Sequence, residues 1–198
     1  MDALHKTQVM VRIALLGAIS SLLTFVEIPL PFFPSFLKLD PSDIPAVVAA
    51  LAYGPVSGIG VALIRLIVDL LKSSSGGVGQ LANMIASSAY LIPLGIVYKR
   101  HKSLLGFCAG AGLASVCMIL VACLFNYFVL IPAYAIIFGG MDAIINAASK
   151  VNSSVQGLGT LVMLAIAPFN ALKAIMISVL GYLLYKPLAP LFRQASHT

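Results

Sequence analysis

The stretch PLPFFPSFLKLDPSDIP, residues 29–45, separates two strongly apolar segments of the chain. Its prolines fix φ and lack a backbone N–H, so the helix predicted for the residues before it must end here. Its three phenylalanines, Phe32, Phe33 and Phe36, give it more apolar surface than a solvated linker carries. The stretch is therefore predicted to be an outer loop of a membrane protein, on which an apolar group docks.

The composition of the whole chain is that of a membrane protein. Of its 198 residues, 61% are hydrophobic and 9% are charged, whereas about 25% are charged in a typical soluble domain. Because a membrane span needs roughly 20 apolar residues, the chain has room for about six spans and for no additional soluble catalytic domain. We expect one all-α integral membrane domain, residues 1–198, folded as a bundle of six transmembrane helices.

Breaker residues divide the apolar sequence into these six helices. Asp43 is a candidate N-cap of a short second helix that the Gly54–Pro55 pair ends, and the segment 73–79 is a glycine-rich connection. Pro132 predicts a kink in the fifth helix, and a second substantial loop is expected at 139–156. The predicted helices cover residues 8–26, 43–53, 55–72, 80–98, 104–138 and 158–185.

The lysines and arginines near the ends of the spans predict the orientation. Cytoplasmic loops carry an excess of these residues, which explains the net charge of +6 without nucleic acid. Both termini are therefore expected to be cytoplasmic and the loop at 29–45 extracellular, in a multi-pass protein of the bacterial plasma membrane. The cytoplasmic side would carry Lys6, Arg12, Lys99, Arg100, Lys102, Lys186 and Arg193, and the other side Lys38, Lys72 and Lys150.

Two basic side chains fall inside predicted spans, where a charge costs about 2.5–3.5 kcal/mol on insertion scales. Arg65 has Asp69 one helical turn further on, a spacing that favours a structural ion pair. Lys173 has no acidic residue within a turn, lies about 22 Å along the axis from the start of its helix, and shares a face with Asn170. The Asn170 and Lys173 pair fits either a ligand site or hydrogen bonds between helices.

Other polar and small residues are open to two interpretations in the same way. Asn126 lies in the outer half of the fifth helix, and Gln80 and Asn83 share a face at the start of the fourth. Each can contact a ligand or join two helices by a hydrogen bond. Ala14 and Ala18 form a ridge of small residues on the first helix, which suits close packing against another helix.

The motifs that are missing from the sequence argue against an enzyme. There is no G-x-x-x-x-G-K-[ST] phosphate loop, so the chain should not hydrolyse ATP alone. There is no H-E-x-x-H or G-x-S-x-G, and the histidines lie at the termini or in a basic loop. The cysteines lack C-x-x-C spacing, which favours a small apolar role over a metal site or disulfide. No catalytic residues and no metal ligands are predicted, and this disfavours a membrane enzyme that acts on lipid.

Five ordered blocks of the chain resemble the riboflavin-binding S components of energy-coupling-factor (ECF) vitamin transporters. The resemblance covers nearly the whole sequence and is most specific in the first block. The blocks are FLKLDPSDIPAVVAALAYGPVSG (36–58), GGVGQLANMI (76–85), YKR (98–100), NYF (126–128) and PFNALK (168–173). Proteins of this family have six membrane helices and bind their vitamin at the extracellular side. They associate with a transmembrane coupling subunit and two ATPases, which would supply the missing phosphate loop.

The resemblance implies a binding function, with riboflavin as a transported ligand and not as a catalytic cofactor. It implies that the polar edges of the flavin ring and the ribityl chain are bonded by Asn126, Asn170 and Lys173. It implies that the ligand is covered by the loop residues Phe36, Leu37, Lys38, Leu39 and Asp40. With Gln80 and Asn83, these residues form the candidate substrate-binding set.

The resemblance also implies a partner contact and leaves the substrate open. Ala14 and Ala18 match the A-x-x-x-A with which these subunits contact the coupling subunit. Related S components share the fold while they bind other vitamins. An S component for another small vitamin is therefore the alternative to a riboflavin-capture subunit.

Overall fold

The computed structural model describes residues 3–71, 73, 76–137 and 139–194, and over these residues the chain is mostly helical. The first four helices along the chain are α1 (Ala3–Leu23), α2 (Ile44–Tyr53), α3 (Pro55–Leu71) and α4 (Val78–Arg100). The later elements are α5 (Leu104–Phe125), π1 (Asn126–Leu130), α6 (Ile131–Ile137), α7 (Met141–Ser149), α8 (Leu158–Leu161), π2 (Val162–Ile166) and α9 (Ala167–Gln194). Two short strands, β1 (Ile28–Pro29) and β2 (Lys38–Leu39), lie between α1 and α2.

The short helix α2 lies at the centre of the fold. Its sequence IPAVVAALAY is apolar on every face, and its residues 44–51 are all buried. A helix that is apolar all round needs neighbours on all sides, and α2 packs against α1, α3, α4 and α9. The elements that frame the loop at 29–45 are therefore held together by one buried helix.

The predicted helix boundaries on both sides of α2 are correct to within a residue. Asp43 is the N-cap residue and Pro45 lies in the first turn, where a missing N–H leaves no hydrogen bond unmade. Gly54 ends α2 with φ of 99°, a conformation that favours glycine, and Pro55 begins α3.

The stretch at 29–45 forms a hairpin followed by a short turn. β1 and β2 pair antiparallel, with Ile28 opposite Leu39 and Pro29 opposite Lys38. A 3-10 turn, Pro41–Asp43, then leads into α2, and the side chain of Asp40 caps this turn by accepting a bond from Ser42 N at 3.0 Å. The hairpin is thus fixed directly to the buried helix.

The structure corrects the loop predicted at 139–156, because Met141–Ser149 form the helix α7. Gly139 and Gly140 have φ of 87° and 103°, which lets the chain turn sharply between α6 and α7. Ile144 and Ala148 lie one helical turn apart on α7 and are buried in a second apolar core. The segment is therefore an amphipathic helix that packs against the core, and not merely a connecting loop.

The fifth and sixth predicted helices, 104–138 and 158–185, are not continuous α-helices. The fifth changes to π geometry at Asn126 before α6 follows, and the sixth has π2 between α8 and α9. The last helix also continues beyond residue 185 to Gln194, because Phe192 packs against Tyr53 with ring centroids 5.5 Å apart. Lys72 and Phe138, the predicted ends of the third and fifth helices, lie outside the described residues.

Smaller differences affect the first and fourth helices, predicted at 8–26 and 80–98. α1 ends at Leu23, where the hydroxyl of Thr24 donates to Ser21 O at 2.8 Å and so competes with the helical backbone bonds. α4 begins at Val78, directly after Gly77 with φ of 88°.

Four helical segments in the described part of the chain are long and apolar enough to cross a membrane. They are Lys6–Leu23, Val78–Arg100, Leu104–Ile136 and Leu158–Phe192. α2, with 10 residues, and α3, with 17, are shorter. The chain is therefore a mostly helical membrane protein.

Candidate functional site

A cavity of about 550 Å³ opens beside the hairpin, between α4, α7, α9 and the junction of α5 with π1. We call it the loop cavity. Its volume lies within the range of about 300–1,000 Å³ that is usual for small-molecule sites. Its lining has a polar part and an apolar part. The apolar part includes Phe36, Leu37, Phe125, Leu130, Ile131, Tyr134, Ile144, Ile166 and Phe169.

The structure brings nine of the ten predicted substrate-binding residues to the loop cavity. They come from the hairpin and from three helical segments that are distant in sequence: Phe36, Leu37, Lys38, Asp40, Gln80, Asn83, Asn126, Asn170 and Lys173. Leu39 is the exception, because the alternation of side chains along β2 turns it away from its neighbour Lys38 and buries it. Ligand contact by the nine residues stays a prediction.

The three phenylalanines of the hairpin occupy different environments. Phe36 lines the loop cavity. Phe33 packs edge-on against Phe169, a cavity-lining residue, with ring centroids 5.5 Å apart. Phe32 is 84% exposed and lies outside the cavity. Only Phe36 is placed to form a cavity wall, and Phe33 supports a wall from behind.

Asn126 and Asn170 use only part of their hydrogen-bonding capacity. The amide nitrogen of each donates to a backbone carbonyl four residues earlier, at 2.8 Å, to Ala122 O and Ile166 O respectively. Neither side-chain oxygen has a partner among the described residues. An amide has two N–H donors and one oxygen acceptor, so each asparagine keeps an acceptor and a donor for a group in the cavity.

Lys173 lies deep in α9, and its ammonium group contacts three oxygen atoms of other elements. Its Nζ lies 2.6 Å from Asn83 Oδ1, 2.8 Å from Asp43 Oδ2 and 3.4 Å from Asp40 Oδ2. The contacts with Asn83 and Asp40 are hydrogen bonds, and the contact with Asp43 Oδ2 is an ion pair without hydrogen-bond geometry. Lys173 joins α9 to α4 and to the loop, and it lines the cavity at the same time.

Asp43 joins this cluster to Arg65, which is also buried. The sequence predicts Asp69 as the partner of Arg65 and places Asp43 in an outer loop. In the structure Asp43 is 1% exposed, and its carboxylate contacts Arg65 Nη1 and Ser87 Oγ. Burial would raise the pKa of this carboxyl, but Arg65 and Lys173 beside it hold the pKa below its ordinary value. With Asp40, the four charged groups sum to zero.

Several cavity residues are absent from the sequence prediction. Ala143, Ile144 and Ala147 come from α7, and Tyr134 comes from α6. The apolar spacing of Ile144 and Ala148 is a helical signal inside the predicted loop. Tyr134 has no comparable signal, because a tyrosine near a helix end equally fits the membrane interface.

Nothing in this arrangement resembles a metal centre. In the part of the chain that the structure describes, no group of three or more histidine, cysteine, aspartate or glutamate side chains could hold a metal ion. The cavity offers apolar and aromatic walls, amide groups and the charged side chains of Glu27, Lys38, Asp40, Asp69 and Lys173. Such a lining suits binding of a partly aromatic molecule that carries several polar groups.

Comparison with known proteins identifies the family. The family model described as "ECF transporter, substrate-specific component" matches residues 8–185. The chain belongs to this family. It is therefore a membrane component of a transporter and not an enzyme.

Individual relatives agree with the family assignment. The chain is 36% identical to riboflavin transporter RibU of Staphylococcus aureus strain TCH60, over 94% of this chain and 93% of the relative. It is 32% identical to riboflavin transporter FmnP of Bacillus subtilis strain 168, over 96% of each chain. A solved structure of the S component of a bacterial ECF transporter matches with a TM-score of 0.75 and 33% identity, over 94% of this chain and 98% of that one.

The α1 helix of this ECF component presents the predicted partner-contact residues on its outer face. Ala14 and Ala18 are both exposed, beside the exposed Leu15 and Leu22. Gly17 lies about 60° to 100° around the helix from the two alanines and is buried, and an added Cβ there would come within 2.8 Å of Ile64. The exposed ridge and the packing against α3 are therefore separate features of α1.

Proposed function

We propose that this protein is the substrate-capture subunit that takes up riboflavin from outside the cell. The observation that carries the proposal is the loop cavity, in which residues of four of the five sequence blocks meet around one space. The relatives at 36% and 32% identity are riboflavin transporters and align over nearly the whole chain.

The lining of the loop cavity fits the chemistry of a flavin. A flavin has a flat apolar ring, an imide edge with donors and acceptors, and a polyhydroxyl chain. Phe36, Phe125 and Tyr134 offer aromatic walls for the ring. Asn126 and Asn170 offer the unused amide groups that an imide or a hydroxyl can bond.

The hairpin between α1 and α2 is proposed to be a lid over the bound vitamin. It lines the cavity through Phe36, Leu37 and Lys38. Its strands have two residues each, and the ion pair between Lys38 and Glu27, at 2.6 Å, is nearly half exposed. Few buried contacts therefore oppose an opening motion. The contact between Asp40 and Lys173 would hold the closed form.

The proposed topology has six membrane elements with both termini in the cytoplasm. α2 and α3 join the four long spans, and α2 is short because other helices cover it on all sides. The excess of lysine and arginine at the end that carries Lys99, Arg100 and Lys102 supports this orientation. The loop cavity would then open outward, as capture from outside requires.

ATP-driven release is proposed to require partner chains. The sequence has no phosphate loop, and the family consists of substrate-specific components of larger transporters. A transmembrane coupling subunit would contact the outer face of α1 at Ala14 and Ala18, and two ATPase subunits would drive it. Small residues on this face allow close approach of another helix.

Equilibrium dialysis of the purified chain against riboflavin tests this function. We expect saturable retention of flavin absorbance at one molecule per chain, with flavin fluorescence changing over the same range. Excess thiamine or biotin should not displace the flavin. Retention of another vitamin in place of riboflavin would reassign the substrate within the same family, and no binding at micromolar protein would count against the proposal.

A further inference from the structure

A second cavity, of about 320 Å³, lies at the opposite end of α4 and α5 from the loop cavity. We call it the basic cavity. It is formed where the end of α4, the start of α5 and the last turns of α9 meet. Its lining residues are Tyr98, Lys102, Ser103, Leu104, Tyr182, Tyr185, Lys186, Ala189 and Pro190. The capture of a vitamin at the loop cavity leaves this space without a role.

Two lysines give the basic cavity its charge. Lys102 and Lys186 are both exposed, and neither forms an ion pair with any described residue. Among the residues that the structure describes, no acidic side chain lines the cavity. Ser103 is the N-cap of α5 and accepts a bond from Gly106 N at 3.0 Å. The positive end of this 22-residue helix therefore lies at the cavity as well. The site therefore favours an anion.

A largely buried tyrosine lines the basic cavity with a hydroxyl that lacks a protein partner. Tyr185 lines the cavity and is 5% exposed, yet its hydroxyl makes no hydrogen bond with any described residue. Its ring is held between Tyr98, with centroids 5.6 Å apart, and Phe192, with centroids 6.5 Å apart. Its O–H is a donor without a partner in the described part of the chain. A ligand oxygen would provide one.

We propose that the basic cavity binds the phosphate headgroup of an anionic phospholipid such as phosphatidylglycerol. The two lysines supply the charge, and Tyr185 supplies a fixed donor for a phosphate or glycerol oxygen. Leu104, Ala189 and Pro190 give the cavity an apolar side, and Leu104 is 62% exposed toward the surroundings of the bundle. An acyl chain can follow that side, which a free phosphate ion would leave unused.

The absence of tryptophan from the chain allows a direct test. In Leu104→Trp the single tryptophan replaces a residue that lines the basic cavity. In Leu105→Trp it replaces the next residue, which does not line the cavity and is 81% exposed. Each full-length variant is reconstituted in vesicles of phosphatidylcholine with brominated phosphatidylglycerol, or with brominated phosphatidylcholine as the added lipid. Bromine quenches a tryptophan that its acyl chain contacts. The two reporters therefore compare lipid binding at the cavity with binding at the general surface.

We expect brominated phosphatidylglycerol to be preferred at the position 104 reporter and not at the position 105 reporter. Lys102→Gln and Lys186→Gln, each in the Leu104→Trp background, should each lower this preference about fivefold. Lys99→Gln is the matched control, since it removes the same charge from the same end of α4 outside the cavity. Riboflavin binding at the other end of the bundle checks that each variant is folded.

Three results would overturn the proposal. The first is equal quenching by the two brominated lipids at position 104. The second is full displacement of brominated phosphatidylglycerol by millimolar glycerol phosphate, which would assign the cavity to a soluble phosphate ester. Loss of the preference in Lys99→Gln to the same extent as in the cavity variants would also contradict a specific site.

Discussion

Asn170 and Lys173 lie one helical turn apart in α9 and line the same cavity, but their bonds differ. The oxygen of Asn170 has no partner among the described residues, and its amide nitrogen bonds only a carbonyl of its own helix. Lys173 has three oxygen partners from other elements. Asn170 can therefore serve a ligand alone, whereas Lys173 also holds the fold together.

Substitution of these two residues should separate ligand binding from stability. Asn170→Ala should weaken riboflavin binding about 3-fold to 10-fold, the value of one ordinary hydrogen bond, with little change in the unfolding temperature. Lys173→Ala should weaken binding and also destabilise the protein by about 3 kcal/mol, because a buried Asp43 carboxylate loses a cation. Equilibrium dialysis and thermal unfolding in detergent measure the two effects.

The matched control for Asn170→Ala is Asn146→Ala. Asn146 is an exposed residue of α7 that does not line the cavity, so its replacement should leave riboflavin binding unchanged. If Asn170→Ala lowers the unfolding temperature as far as Lys173→Ala does, Asn170 has a structural role that its contacts do not suggest.

At the scale of elements, the two π turns share one cause. Each is closed by a backbone bond across five residues, from Ile131 N to Asn126 O and from Ala167 N to Val162 O. A proline, which has no N–H to donate, follows the donor directly in both places, at Pro132 and Pro168. The widened turn accommodates the missing bond.

Removal of Pro132 should therefore change the loop cavity. Pro132→Ala restores a donor, and closure of π1 to α geometry would remove one residue from the turn and rotate Asn126 relative to Tyr134 by about 100°. We expect riboflavin affinity to fall while the unfolding temperature is maintained or rises, since proline inside a helix costs about 3 kcal/mol. The measurements are the same dialysis and thermal unfolding.

Pro187→Ala provides the comparison for this variant. Pro187 lies inside α9 without a π turn, so its replacement should leave riboflavin affinity unchanged. Native affinity in Pro132→Ala would mean that packing, and not the proline, maintains π1.

At the scale of the whole molecule, sequence reasoning succeeds within elements and fails between them. The start of α2 after Asp43 and the break at Gly54–Pro55 follow from local backbone chemistry, although the side chain of Asp43 makes no capping bond. The contact of Asp43 with Arg65 joins residues 22 positions apart, and that of Lys173 with Asp40 joins residues 133 apart. Periodicity shows which residues share a face, but only the packing of helices decides which faces meet. The sequence therefore indicates the candidate ligand-binding residues, but not the hydrogen bonds and ion pairs that they form with one another.

The small residues on the outer face of α1 are useful to the protein only in an assembled transporter. A lone subunit in a bilayer gains nothing from alanine at positions 14 and 18, because lipid covers a leucine equally well. A partner helix gains close approach from the same two alanines. These positions should therefore matter for transport and not for vitamin capture.

Ala14→Leu and Ala18→Leu should lower riboflavin uptake about tenfold or more, because the added side chains would overpack the proposed contact with the coupling subunit. Riboflavin binding to the isolated protein should stay unchanged, since both residues lie on the surface away from the loop cavity. Uptake of labelled riboflavin is measured in cells that make none and that carry the partner subunits. Ala109→Leu, an equally exposed change on α5, controls for the effect of bulk on the lipid-facing surface. Native uptake in both α1 variants would make the ridge ordinary lipid-facing surface and move the partner contact to another face.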